Sequence, residues 1–121
     1  MAEHEAFWRG AELFDQGAYF EAHEAWEERW LTSTDRNERL FLQGLIQVAA
    51  AFHKLLDKNA PDSASRLLAR GLAKLNACPE LIPGFNLRAF RSALEHCQAT
   101  LETKPFDRTT IPCLIATTQA P

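Results

Sequence analysis

The chain has 121 residues, of which 46 % are hydrophobic and 24 % charged, and a formal net charge of −3. That length suits one domain able to bury a core without covalent staples. The acidic balance argues against nucleic acid as a partner, because phosphate binding needs a concentrated basic field.

Cys78, Cys97 and Cys113 form neither a CxxC pair nor an even disulfide set, which points to a reducing cytoplasm and away from a zinc knuckle. The opening MAEHEAFWRG lacks the apolar stretch of a signal peptide. The most apolar run, Leu40 to Leu56, is interrupted by Gln43, Gln47, His53 and Lys54 and is too short to span a bilayer. No membrane partner is expected.

In chain order, the first helix is expected from about His4 to Gln16. Phe7, Gly10, Ala11 and Phe14 share one side, while Arg9, Glu12 and Gln16 face water. Gly17 ends it, since glycine takes a left-handed conformation cheaply. Trp8 lies off the main stripe and reads as a second contact surface. The second helix, YFEAHEAWEERW from Tyr19 to Trp30, follows at once, so the pair forms a tight hairpin. A turn of about 100° per residue puts Phe20, His23, Glu27 and Trp30 on one stripe, with Glu24 on its shoulder. Glu21 and Glu28 fall further round, in water. Burying that aromatic stripe would take an imidazole and a carboxylate inside with it, and buried charge is costly unless partnered.

The segment LTSTDRNE reads as a connection in which Asp35 and Glu38 have capping-box spacing. The third helix runs to about Lys58. It is apolar nearly all round and belongs in the middle of a bundle. Gly44 costs about 1 kcal/mol against alanine in mid-helix, which implies a neighbouring backbone pressing there. Pro61 opens a fourth helix to about Asn76; Leu67, Leu68, Gly71, Leu72 and Leu75 form its buried side, and Arg66, Arg70 and Lys74 form a basic stripe that reads as a solvated face, with anion binding as the alternative. Asn86 caps a fifth helix from Leu87 to about Thr103. Its core stripe of Leu87, Phe90, Leu94, Cys97 and Leu101 makes Cys97 a packing residue, not a nucleophile, and leaves His96 exposed. The fold expected is all-α, a single bundle of about five helices over 1–104. A tail over 105–121 docks through Phe106, Ile111, Leu114 and Ile115.

His23 and Glu27 stand four apart, close enough on one helix to share an ion or a proton. HEAWE is only a weak echo of the zinc motif HExxH, with glutamate in place of the second histidine. A di-metal centre is not indicated, because no other helix carries a matching acidic motif. On the third helix, Gln43 and Gln47 lie one turn apart, and Gln47 is the expected partner of Glu27 or His23. His53 would complete a His–Glu–His set for a single divalent metal, but it sits well over a right angle from Gln47. Two readings stay open. In one, a pocket between the second and third helices binds a small molecule or a metal. There Glu27 is ligand or general base, His23 ligand or proton shuttle, Glu24 a second carboxylate and Gln47 the orienting group. Glu21, Trp30, Gln43 and His53 line it, and a hydrolytic or proton-transfer step would suit it. In the other, the buried polar network only sets helix register in a non-catalytic interaction module. Trp8 or the tail residues could also mark a homodimer surface.

The run FWRGAELFDQGAYFEAHEAWEERW, followed by LFLQGLIQVAAAFHKL, resembles the family catalogued as domain of unknown function 309. The likeness rests on Phe7, Gly10, Leu13, Phe14, Gly17, Tyr19, Phe20, Glu21, His23, Glu24, Glu27 and Trp30 in the first block. Leu42, Gln43, Gly44, Leu45, Ile46, Gln47 and His53 carry the second. It covers about Phe7 to Leu75. Asp15 stands where that family has asparagine, and Ser63 where glycine is common. The resemblance implies a small all-helical bundle without an assigned activity. It strengthens the choice of site and leaves the reaction unnamed.

Overall fold

The computed structural model describes residues 4–102 and 106–115, and the regular elements among them are all helical. These are α1 (Glu5–Asp15), α2 (Tyr19–Thr32), α3 (Arg36–Leu56), α4 (Pro61–Asn76), α5 (Leu87–Thr100) and a 3₁₀ turn (Arg108–Thr110). Gly17 adopts φ 82°; its N–H donates to the Phe14 carbonyl at 2.9 Å, and the Ala18 N–H to the Leu13 carbonyl at 2.9 Å. This C-terminal motif stops α1 and returns the chain along it as α2.

α3 is the central rod, packed against α2 on one side and α4 on the other. Phe41, Leu42, Leu45, Val48, Ala49, Ala51, Phe52 and Leu55 are all buried on it. At the α3–α4 crossing the backbones meet through two glycines. A Cβ built on Gly71 would lie 2.8 Å from the Gly44 carbonyl, and one on Gly44 would lie 2.9 Å from the Leu75 side chain. The backbone that presses on Gly44 is therefore that of α4.

The Asp35 carboxylate accepts the Glu38 N–H at 2.8 Å and caps α3. The reciprocal half of the expected capping box is not made, because the Glu38 carboxylate goes to Arg29 instead. Asn86 accepts the Ala89 N–H at 3.0 Å and caps α5. α5 ends at Thr100, and Leu101 and Glu102 already form a turn, so the helix stops short of the expected Thr103, which lies outside the described residues. Leu94 and Cys97 are fully buried, and His96 is exposed. Beyond α5, Asp15 at the end of α1 accepts the Leu114 N–H at 2.7 Å and the Ile115 N–H at 2.9 Å, and Leu114 is fully buried. No helix among the described residues is long and apolar enough to cross a membrane.

Candidate functional site on the solvent face of α2

α2 buries Tyr19, Ala22 and Trp26, three residues at helical spacing. Trp26 is at 0 % exposure, and its indole N–H donates to the Phe7 carbonyl at 3.1 Å. The ring lies flat against Gly10, where a Cβ would sit 2.1 Å from the indole nitrogen. Small residues thus decide how α2 is rotated. Ala22 lets the helix come close, and Gly10 opens a slot that only the Trp26 ring fills.

This rotation overturns the expected stripe. Glu27 is exposed, as are Glu21, Glu24 and Glu28, and His23 is half-buried on the boundary. Phe20 remains 45 % exposed and Leu31 69 % exposed. Phe20, Glu24, Glu27 and Leu31 follow the i, i+4, i+7, i+11 series and therefore share one outward stripe. Glu27 does not enter the interior because the Trp26 side of the helix already occupies it. No ion pair joins His23 to Glu24 or Glu27 among the described residues.

The partners expected from α3 are engaged elsewhere. Gln47 is half-buried and accepts from Lys74 Nζ of α4 at 2.8 Å, so it pairs with neither Glu27 nor His23. Gln43 is half-buried on α3. The Arg39 guanidinium lies over the Trp30 ring, 4.1 Å from the centroid. Arg39 also donates to the Trp30 carbonyl at 2.7 Å and the Ser33 carbonyl at 3.0 Å.

What the structure does bring together is a cluster of three rings. Phe20 stacks on His23 at 5.9 Å, with an interplanar angle of 20°, and also meets the tilted His53 ring of α3 at 5.2 Å. His53 Nδ1 pairs with the Asp57 carboxylate at 2.7 Å. His23 Nδ1 is buried and has no hydrogen-bond partner among the described residues. An inward N–H there would lack any acceptor, at a cost of about 1–3 kcal/mol. Among the described residues no group of three or more His, Cys, Asp or Glu side chains is placed to hold a metal ion. Of the expected His23, Glu27 and His53 set, the two imidazoles both contact the Phe20 ring, and Glu27 is exposed.

The strongest ionic cluster is one the sequence did not single out. Arg29 Nε and Nη2 donate to the two oxygens of Glu38 at 3.0 and 2.9 Å, and Ser33 also donates to that carboxylate. Burial alone would push the Glu38 carboxyl up, but the hydrogen bonds from Arg29 and Ser33 and the Arg29 charge outweigh it and hold it below its ordinary range. The only available signal was the acid at Glu38 three residues after a cap, and Arg29 nine residues upstream gave no periodic hint of pairing with it.

A family model described as a domain of unknown function (DUF309) matches residues 7–67, which takes in all of α2 and α3. An uncharacterized protein of Aquifex aeolicus (strain VF5) is 30 % identical over 89 residues, covering 74 % of this chain and 26 % of that protein. The chain thus spans about a quarter of the length of the curated relative it matches. No solved structure matches it.

Proposed function

This chain belongs to the DUF309 family, and from that premise we propose that it is a non-catalytic helical interaction module. Its α2 stripe reads a basic amphipathic helix on a partner protein. The observation that carries the reading is the outward stripe itself: exposed Phe20 and Leu31 bracket exposed Glu24 and Glu27. The two apolar knobs are about 16 Å apart along the helix axis, three turns of a complementary helix. Such a partner would place one apolar side chain at each end and Lys or Arg between, in the helix-in-groove manner. Glu21 and Glu28 widen the acidic field, which favours encounter and selectivity more than raw affinity. A second copy of this chain is a poor partner here, because twofold pairing would set Glu24 and Glu27 against their own equivalents. The length of the Aquifex relative supports the same reading, since a similar region occupies only a quarter of that longer chain. His23 contributes a ring surface beside Phe20.

The test is an amide-shift titration with a synthetic helical peptide carrying Leu at two positions eleven apart and Lys between them. Shifts concentrated on Phe20, His23, Glu24, Glu27 and Leu31, weakened at least about tenfold by Glu24→Lys with Glu27→Lys and by raised salt, are expected. Shifts that fall elsewhere, or that survive the double reversal, would refute the reading.

A further inference from the structure

A cleft of about 520 Å³ opens at the end of the bundle away from Phe20. It lies between the first turn of α1, the last turns of α2, the first turns of α3 and the α4–α5 loop, and nothing in the α2 reading uses it. We infer that this cleft is a binding site for a small amphiphilic cation, an ammonium group carried on a short apolar body.

Three observations carry the assignment. The floor is apolar, made by Phe7, Phe41, Leu42 and Ile82, with half-buried Leu81 at the edge. Its position is fixed, because the Phe7 carbonyl is held by the Trp26 indole and the Phe7 ring packs on Phe41 at 5.6 Å. The volume lies within the roughly 300–1,000 Å³ typical of small-molecule sites.

The rim sets the sign of the charge. Glu5, Asp35 and Glu38 line it against a single guanidinium, Arg29. Arg29 is spent on Glu38 through two hydrogen bonds, so that pair is close to neutral. Glu5 and Asp35 remain. Asp35 gives one oxygen to the α3 cap, and its second oxygen is unengaged among the described residues. The N-termini of α1 and α3 open on the same cleft, and each contributes about half a positive charge. Together they offset roughly one carboxylate, which leaves the rim acidic by about one charge. A cationic head is favoured over an anionic one, and the apolar floor takes the rest of the ligand.

His4 stands at this rim in a left-handed conformation, φ 64°, with its carbonyl closing the first turn of α1 through the Trp8 N–H at 3.1 Å. His4 itself lines the cleft.

The probes are n-hexylamine, 1-hexanol and hexanoate, alike in apolar length and different in head-group charge, each titrated while amide shifts are recorded. Hexylamine is expected to shift the amides of Ala6, Phe7, Leu42 and Ile82. Hexanoate should bind at least about tenfold more weakly and hexanol should lie between them. Leu81→Trp, which fills the mouth from a half-buried position, should abolish the hexylamine shifts while the remaining spectrum stays folded. Equal binding of amine and carboxylate would overturn the charge assignment, and no amine shift at these amides would overturn the site. A variant lacking residues 1–3 is run beside the full chain. Amine binding seen only after that deletion would make the chain's own leading residues the occupant and would overturn assignment to a free ligand.

Discussion

Tyr19 is the chain's single tyrosine, and burial pushes its hydroxyl up to about 12, with the nearby Arg108 charge opposing only part of that. A group raised in the folded state stabilises the fold below its unfolded value, near pH 10. That contribution is lost as pH climbs toward the folded value. Tyrosinate absorbance should therefore show no step near pH 10 and should rise only near pH 12 or together with unfolding. A simple step near pH 10 would contradict the burial of Tyr19. Gly10 poses a sharper steric question. A methyl there would meet the fully buried Trp26 ring at 2.1 Å, and the rigid indole cannot yield without losing its bond to the Phe7 carbonyl. Gly10→Ala is expected to cost about 1–3 kcal/mol by overpacking, read as a lower urea midpoint. An unchanged midpoint would mean that the indole does not occupy that slot.

At the scale of the element, the rotation of α2 separates what the sequence made legible from what it did not. The five helices, the Gly17 stop and the Asn86 cap are local signals that follow from backbone chemistry without distant partners, and the mid-helix glycine at Gly44 announced a close approach without naming the α4 backbone that makes it. The facing of α2 is not local. Two aromatic series were available, Phe20 with Trp30, and Tyr19 with Trp26, and hydrophobicity alone weighs them about equally. The deciding facts were small residues: Ala22 on α2 and Gly10 on α1, which admit one series and exclude the other. Gln47 failed for a related reason. Helical angles on α3 say which way its amide points, but not that Lys74 of α4 arrives there first. Trp26→Ala should accordingly cost about 3–5 kcal/mol, while Phe20→Ala and Leu31→Ala should stay within about 0.5 kcal/mol. Denaturant unfolding of the three variants checks the assignment. A large loss at Phe20 with little at Trp26 would restore the stripe first expected.

At the scale of the whole molecule, Asp15 ties the two ends of the described chain together. Its carboxylate takes both the Leu114 and Ile115 N–H groups, and Leu114 is sealed in the core. Charge-assisted bonds of this kind contribute about 1.5–3 kcal/mol. Asp15→Ala should loosen the segment around Arg108, which is exposed, and limited trypsin digestion should then cut there several-fold faster than in the parent chain. An unchanged rate would mean that Leu114 alone holds the segment.

The bundle leaves α2 with a buried aromatic face and an outward acidic one bracketed by apolar knobs, and the account stands on that outward face being read by a partner. A charge exchange tests it most directly. The chain carrying Glu24→Lys and Glu27→Lys is titrated by calorimetry against the Lys-containing helical peptide and against a version with Glu in place of Lys. Binding should be lost with the first and recovered with the second, to within about threefold of the parent pair. Failure of the exchanged pair to bind, with both proteins folded, would contradict the account.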